Sequence, residues 1–336
     1  MPQEDDAPRS RLLDNWRGWA IIFVLLGHFA SLPGANFGRV GVELFFVLSG
    51  RLMADLLFLK RVALPVFFLR RFSRVLPVSL LFVLCAWLLF PGVRHLDLPG
   101  ALAAGAMVVN YTQLVGIGGS IVDHYWSLCV EEHSYIALAL IALLARRLHL
   151  ADRRAALVCF GMAALMVVNG WRLWHGHPDY YAVYWRSDVR AATIFMSAGL
   201  RVLHVSGAAP GWLRKSWVPL VAFAAAMVLN WNHIPDPLKY SVGSLLFAIT
   251  INSLDHAHER VRALLDSRAV AWVGLVSYSL YIWQQAFFIS VPEHSRLAML
   301  AGALVAGTVS FYVWETPVRK RLNALPWLRT RPVRAT

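Results

Sequence analysis

The chain has 336 residues, 58% hydrophobic and 15% charged, and a formal net charge of +13. Soluble domains have about 45–50% apolar and about 25% charged residues, and the mean hydropathy here is +0.54, so the composition excludes an ordinary soluble domain and points to a bilayer. The excess charge is mainly Arg and falls between apolar runs, as in cytoplasmic loops, so no nucleic-acid partner is expected.

The first ten residues are polar and acidic and lack the order of a cleaved signal peptide. Apolar segments follow at about 16–33, 40–59, 75–92, 99–115, 126–145, 155–173, 188–204, 215–231, 239–254, 270–291 and 296–315. Most approach the ~20 residues that one crossing needs. Basic stretches run from Lys60 to Arg74, Arg146 to Arg154, Arg201 to Lys215, His256 to Arg268, and from Arg319 onward. They fall on one side only if segment 99–115 does not cross fully. That segment carries Asn110, Tyr111, Thr112 and Gln113 and runs into Gly116–Ile117–Gly118–Gly119; irregular backbone is tolerated at membrane depth when protein covers it.

The predicted fold is therefore all-α, a polytopic transmembrane helical bundle of about ten spans plus one re-entrant or partial segment. Residues 1–336 read as a single membrane domain, with spans over about 16–315, a basic tail at 316–336, and both termini cytoplasmic. Cys85, Cys129 and Cys159 lie within apolar runs, so neither a disulfide framework nor a CxxC site is expected. No metal site is expected either; His256 and His258 read as solvated loop.

Ionisable residues inside apolar runs carry the sharpest signal, because insertion scales charge about 2.5–3.5 kcal/mol for one at a helix centre. His28 follows Arg17 by 11 residues, a rise of about 16 Å along a helix, and is expected near mid-membrane. Glu43 and Arg51 lie in the second span, Glu131 and Glu132 in the fourth, and Arg186, Asp188 and Arg190 around the start of the sixth. Blander readings compete. A lone His can be a packing hydrogen bonder. Glu131 and Glu132 point about 100° apart on a helix, so at most one faces a cavity while the other pairs with an Arg. Arg70, Arg71 and Arg74 can be a plain positive-inside signal, and Glu315 before Pro317 can simply end the last helix. The chain holds no GxSxG, HExxH or P-loop, and Ser49 has no local base pattern. A proton-coupled transporter also places His and Glu in spans, but clear inverted repeats are lacking.

The blocks along the chain resemble the integral membrane acyltransferase family 3, bacterial proteins that O-acylate polysaccharides and antibiotics. Leu13–Asp14–Asn15–Trp16–Arg17–Gly18–Trp19–Ala20, running to His28, is similar to the family's first span, with its Arg, ten residues, then His. Gly41 to Gly50 resembles its second-span block, Arg71–Phe72–Ser73–Arg74 its RxxR, and Trp126–Ser127–Leu128–Cys129–Val130–Glu131–Glu132 its WSL…E block. Ser277–Tyr278–Ser279–Leu280–Tyr281 and Glu315–Thr316–Pro317 resemble the two C-terminal blocks. Three departures stand out. Arg51 replaces an apolar residue, His133–Ser134 replaces Gln-Phe, and Gln284 and Gln285 stand where the family usually has a His, so no catalytic part is expected of the C-terminal block.

The resemblance implies a membrane-bound O-acyltransferase of the bacterial inner membrane. It would pass an acyl group, commonly acetyl, from acyl-CoA to a hydroxyl of a cell-surface glycan, an antibiotic or a lipid-linked sugar, with no permanently bound cofactor. Coenzyme A is a phosphorylated anion and guanidinium forks suit phosphates, so Arg71 and Arg74, three apart on one helix face, are expected to hold it with Arg17 and Arg70. Arg51 either extends this clamp or pairs with Glu43. His28 is the expected general base, with Glu131 orienting it or joining the proton transfer. Glu43, Ser49, Asn110, Tyr111, Trp126, Arg186, Asp188 and Tyr278 are expected to line the substrate site.

Overall fold

The computed structural model describes residues 11–30, 32–89, 96–177 and 179–325. Among these the regular structure is all helix, and an isolated bridge joins Ala35 to Trp231. In chain order the helices are α1 (Arg11–Phe29), α2 (Phe37–Ala54), α3 (Leu64–Leu89), α4 (Leu98–Gly105), α5 (Val109–Thr112), α6 (Tyr125–Arg147), α7 (Asp152–Gly176), α8 (Tyr180–Tyr184) and α9 (Ser187–Arg190). They continue with α10 (Ala192–Val205), α11 (Val218–Leu229), α12 (Asp236–Leu238), α13 (Ser244–Ser253), α14 (Glu259–Leu265), α15 (Arg268–Phe288), α16 (Arg296–Ser310) and α17 (Thr316–Asn323). By length and composition, helical stretches Leu64–Leu88, Tyr125–Arg147, Asp152–Gly176 and Arg296–Asn323 can each cross a membrane. Large apolar side chains such as Leu84, Leu140, Leu165, Val228 and Val305 point outward, as they do where lipid is the solvent.

Local chemistry sets the helix starts. The Asn36 side chain accepts the Arg39 N–H at 3.1 Å and caps α2; Asp97 accepts the Gly100 N–H at 2.8 Å and caps α4; each meets a donor that has no partner inside the helix. One predicted boundary moves. α3 begins at Leu64 rather than near residue 75, so Arg70, Arg71 and Arg74 ride on a helix continuous with the apolar segment. Arg is a good helix former, and three of them do not interrupt the run.

The basic stretches converge on one end of the bundle. Arg201 pairs with Asp55 at 2.6 Å, Arg51 with Asp255 at 2.5 Å, and Arg11 with Asp266 at 2.7 Å, while Arg146 donates to the Leu57 carbonyl. α3 leaves this basic end and α6 returns to it, since Arg71 meets Glu131 near one end and Tyr125 donates to the Ser79 carbonyl near the other. Among its described residues, the segment between them holds only short helices. A Cβ on Gly100 would come within 3.0 Å of Gly118, so its two limbs lie together, while Asn110 and His133 share Ser187 as hydrogen-bond partner at 3.0 and 2.7 Å. His133 is two turns into α6. Segment 98–118 thus lies beside α6 with its two limbs together.

Two glycines set the central contact. α1 packs on α15 and on α2, and a Cβ on Gly18 or Gly274 would strike the Val270 or the Asp14 carbonyl oxygen of the facing helix. Small residues let backbones approach this closely. The approach brings the far ends of α1 and α15 together as well, where His28 and Gln284 sit.

Candidate active site

A cavity of about 550 Å³ lies between α1, α2, α3, α6 and α15. Its mouth, at the basic end, is lined by Arg17, Lys60, Arg70 and Arg74 together with Asp14 and Asp55. Both acids are paired: Asp14 holds Arg17 at the mouth itself at 3.0 Å, and Asp55 holds Arg201. Arg74 makes no ion pair among the described residues, and the charged groups around it are Arg17, Arg71 and Arg319, with Glu315 opposing them. The mouth is therefore cationic, with a guanidinium free to meet an anion.

Deeper in, Arg71 gathers three acceptors or aromatic partners. Its Nη2 lies 2.8 Å from Glu131 Oε2 and its Nε 2.9 Å from Glu132 Oε1, and its guanidinium sits over the Tyr135 ring, 4.1 Å from the centroid. Glu131 also accepts from Tyr135 Oη at 2.9 Å and from Ser49 Oγ at 2.8 Å. Of the two adjacent carboxylates, Glu131 lines the cavity and Glu132 does not, yet both hold the same Arg. Ser49, Arg71, Glu131 and Tyr278 are thus brought together, and so are Arg17, Arg70 and Arg74. Tyr278 donates to the Val75 carbonyl at 2.9 Å and ties α15 to α3.

The cavity floor is formed by Phe45, Ser127 and Tyr281. Ser127 Oγ and Tyr281 Oη are 2.6 Å apart, and Tyr281 also donates to the His124 carbonyl at 3.0 Å. His28 lies beyond this floor rather than in the cavity wall. It is the next-to-last residue of α1, so it sits at the end of the bundle opposite the cationic mouth and not halfway along. The helical rise over the residues from Arg17, at the mouth, carries His28 past the cavity floor. His28 stacks on Phe288 with ring centroids 4.2 Å apart, and its Nδ1 is 2.6 Å from Gln284 Oε1.

Several expected residues are elsewhere. Arg51 neither lines the cavity nor pairs with Glu43; it donates to the Ile251 carbonyl and pairs with Asp255. Glu43 is fully buried and pairs with Arg190, while Ser244 and Thr193 donate to its Oε2 at 2.7 and 3.1 Å. Arg190 lies 3.8 Å from the centroid of the Tyr240 ring. Asn110, Tyr111, Arg186 and Asp188 join a separate cluster beside segment 98–118: Asn110 donates to the Trp185 carbonyl at 3.0 Å, Tyr111 donates to Asp188 at 3.1 Å, and Arg186 grips both Asp188 oxygens at 3.0 and 2.8 Å. Trp126 is buried and stacked on Trp185, centroids 6.3 Å apart. None of these lines the cavity; Arg51 and Glu43 pair with residues far along the chain, and Arg186 with its near neighbour Asp188.

Sequence reasoning passed over Gln284, Tyr135 and His124. Gln284 was set aside for its identity although it stands in the family's block. Tyr135 is one turn beyond Glu131, a spacing that marks a shared helix face. His124 is buried with both ring nitrogens lacking a hydrogen-bond partner among the described residues, and no sequence signal separated it from a loop His.

A family model described as "Acyltransferase domain" matches residues 11–315. Similar curated proteins include peptidoglycan O-acetyltransferase OatA of Listeria monocytogenes, 24% identical over 92% of this chain and 55% of that protein. A putative O-acetyltransferase of Staphylococcus aureus is 26% identical over 94% of the chain and 58% of its own length. The putative peptidoglycan O-acetyltransferase YrhL of Bacillus subtilis is 23% identical over 91% and 54%. The chain thus spans little more than half the length of these relatives. No solved structure matches it. With a match over nearly all of the described residues, and the first-span Arg and His, the RxxR and the WSL…E block on helices around one cavity, the chain belongs to the acyltransferase-3 family.

Proposed function

We propose that the protein is a membrane-bound O-acetyltransferase that moves an acetyl group from acetyl-CoA to a hydroxyl of a cell-wall glycan. The observation that carries this reading is the cavity: four arginines and a lysine line it, its mouth is at the basic end, and it narrows to hydroxyls and a carboxylate. Arg74, with Arg17 and Arg70, takes the phosphates of coenzyme A as charge-assisted, partly bidentate contacts. The pantetheine arm then follows the wall formed by Phe45, Leu48, Leu52 and Phe67 towards Ser127 and Tyr281. In this reading the chain makes ten crossings of a bacterial cytoplasmic membrane with the basic end inside. The acceptor approaches from the opposite end, where His28 stands. His28 Nε2 takes the proton of the acceptor hydroxyl as its oxygen bonds to the thioester carbonyl carbon. The C–S bond breaks, and the departing thiolate of coenzyme A receives the proton. The acyl end of the donor has to pass the Ser127–Tyr281 floor for this, which favours a small acyl group. The resemblance to proteins named peptidoglycan O-acetyltransferases supports the choice of acceptor.

The test uses the full chain in lipid nanodiscs with radiolabelled acetyl-CoA and peptidoglycan strands. The wild type is expected to label the glycan. His28→Gln keeps a hydrogen-bonding side chain but no base, and is expected to lose about 10²- to 10⁴-fold in turnover while acetyl-CoA still binds. A His28→Gln protein with wild-type transfer removes His28 from the chemistry.

A further inference from the structure

The imidazole of His28 touches a side chain whose chemistry constrains it. Gln284 is fully buried, and its Oε1 is 2.6 Å from His28 Nδ1. An amide oxygen only accepts, so this contact requires the proton on Nδ1 and leaves the lone pair on Nε2. The opposite orientation of the amide would put the proton on Nε2 and remove the base. Phe288, stacked on the ring, limits its rotation, so the hydrogen bond and the stacking together fix where Nε2 points. On the α2 side the ring lies beside Gly38, where an added Cβ would sit 3.4 Å from its Nε2 and Cδ2. The other titratable group facing it is His124, which comes from the turn before α6.

The cost of Gln284 argues against a packing role. Its Nε2 is buried with no partner among the described residues, and an unmet buried donor costs about 1–3 kcal/mol. Leu or Met would fill the same space without that cost, so what distinguishes Gln here is the oxygen turned to His28.

We propose that Gln284 is a positioning residue that holds His28 in the Nδ1–H tautomer with Nε2 turned to the reacting hydroxyl. This rests on the reading of His28 as the base. Gln284 does not touch the acyl group; it acts through the imidazole. In this chain it does so from the C-terminal block where the family usually has a His.

The experiment measures the pH dependence of acetyl transfer from acetyl-CoA to peptidoglycan strands by the full chain in nanodiscs, for wild type, His28→Gln, Gln284→Glu and Gln284→Leu. Melting temperature and acetyl-CoA affinity are followed for each. Glu accepts as Gln does but adds a negative charge, which stabilises the protonated imidazole. Gln284→Glu is therefore expected to retain transfer at high pH, with the acidic limb of kcat/KM moved up by about one pH unit or more. Gln284→Leu frees the tautomer and the ring, and is expected to lose on the order of 10²-fold in kcat with acetyl-CoA affinity unchanged. An acidic limb in Gln284→Glu that coincides with wild type, while His28→Gln is inactive, overturns this assignment and leaves the base in place. Wild-type transfer by His28→Gln overturns the underlying reading itself. If Gln284→Leu does not fold, the Gln284→Glu profile alone decides.

Discussion

Arg71 and Arg74 are equivalent in sequence, three residues apart on one helix, but their surroundings differ. Arg71 is the hub of a buried cluster: its side chain is 15% exposed, and those of Glu131 and Glu132 are 13% and 12% exposed. Replacing it with Ala leaves two adjacent carboxylates without their cation, and breaking a buried pair in this way costs about 3–5 kcal/mol. Arg71→Ala is therefore expected to lower folded yield and melting temperature sharply. Glu132→Gln in the same chain is expected to restore part of the loss, since it removes one orphaned charge. Arg74, among like charges, contributes no such pairing. Arg74→Ala is expected to melt at or above the wild-type temperature, yet to bind acetyl-CoA about ten- to a hundredfold more weakly, the worth of one hydrogen bond to a charged group at about 1.5–3 kcal/mol. Arg74→Lys keeps the charge without the planar fork and is expected to fall between. The assay pairs thermal unfolding in detergent with equilibrium binding of radiolabelled acetyl-CoA. The reasoning fails if Arg71→Ala is as stable as wild type, or if Arg74→Ala binds acetyl-CoA with unchanged affinity.

Gly274→Val inserts a side chain into the α1–α15 contact, against the Asp14 carbonyl oxygen. Overpacking of this kind costs about 1–3 kcal/mol, and because the same contact aligns His28 with Gln284, transfer is expected to fall further than stability, which kcat and melting temperature together report. In the proposed ten-crossing arrangement segment 98–118 does not cross, so reporter fusions placed after residue 150 are expected to read cytoplasmic; an external reading there refutes that proposal.

The helical blocks were legible because their signals are local. The Arg17–His28 spacing and the polar, Gly-rich break after residue 109 act within a few turns, and each appears on the element its own physics predicts. What was not legible depends on partners far along the chain. Arg51 looks like a stray membrane charge until Asp255, 204 residues on, closes on it; Glu43 looks like a cavity acid until Arg190 neutralises it. A buried charge needs an opposite one, but sequence cannot say which, and each of these charges had more than one candidate. Gln284 is the opposite case. Read alone, it was a departure from the family pattern and a reason to discount the C-terminal block. Only the close α1–α15 approach, set by Gly18 and Gly274, carries its amide 256 residues back to the His28 ring. A buried amide is a polar cost that a hydropathy profile does register, but the profile cannot say which partner the amide meets, so the contact with the expected base was not legible.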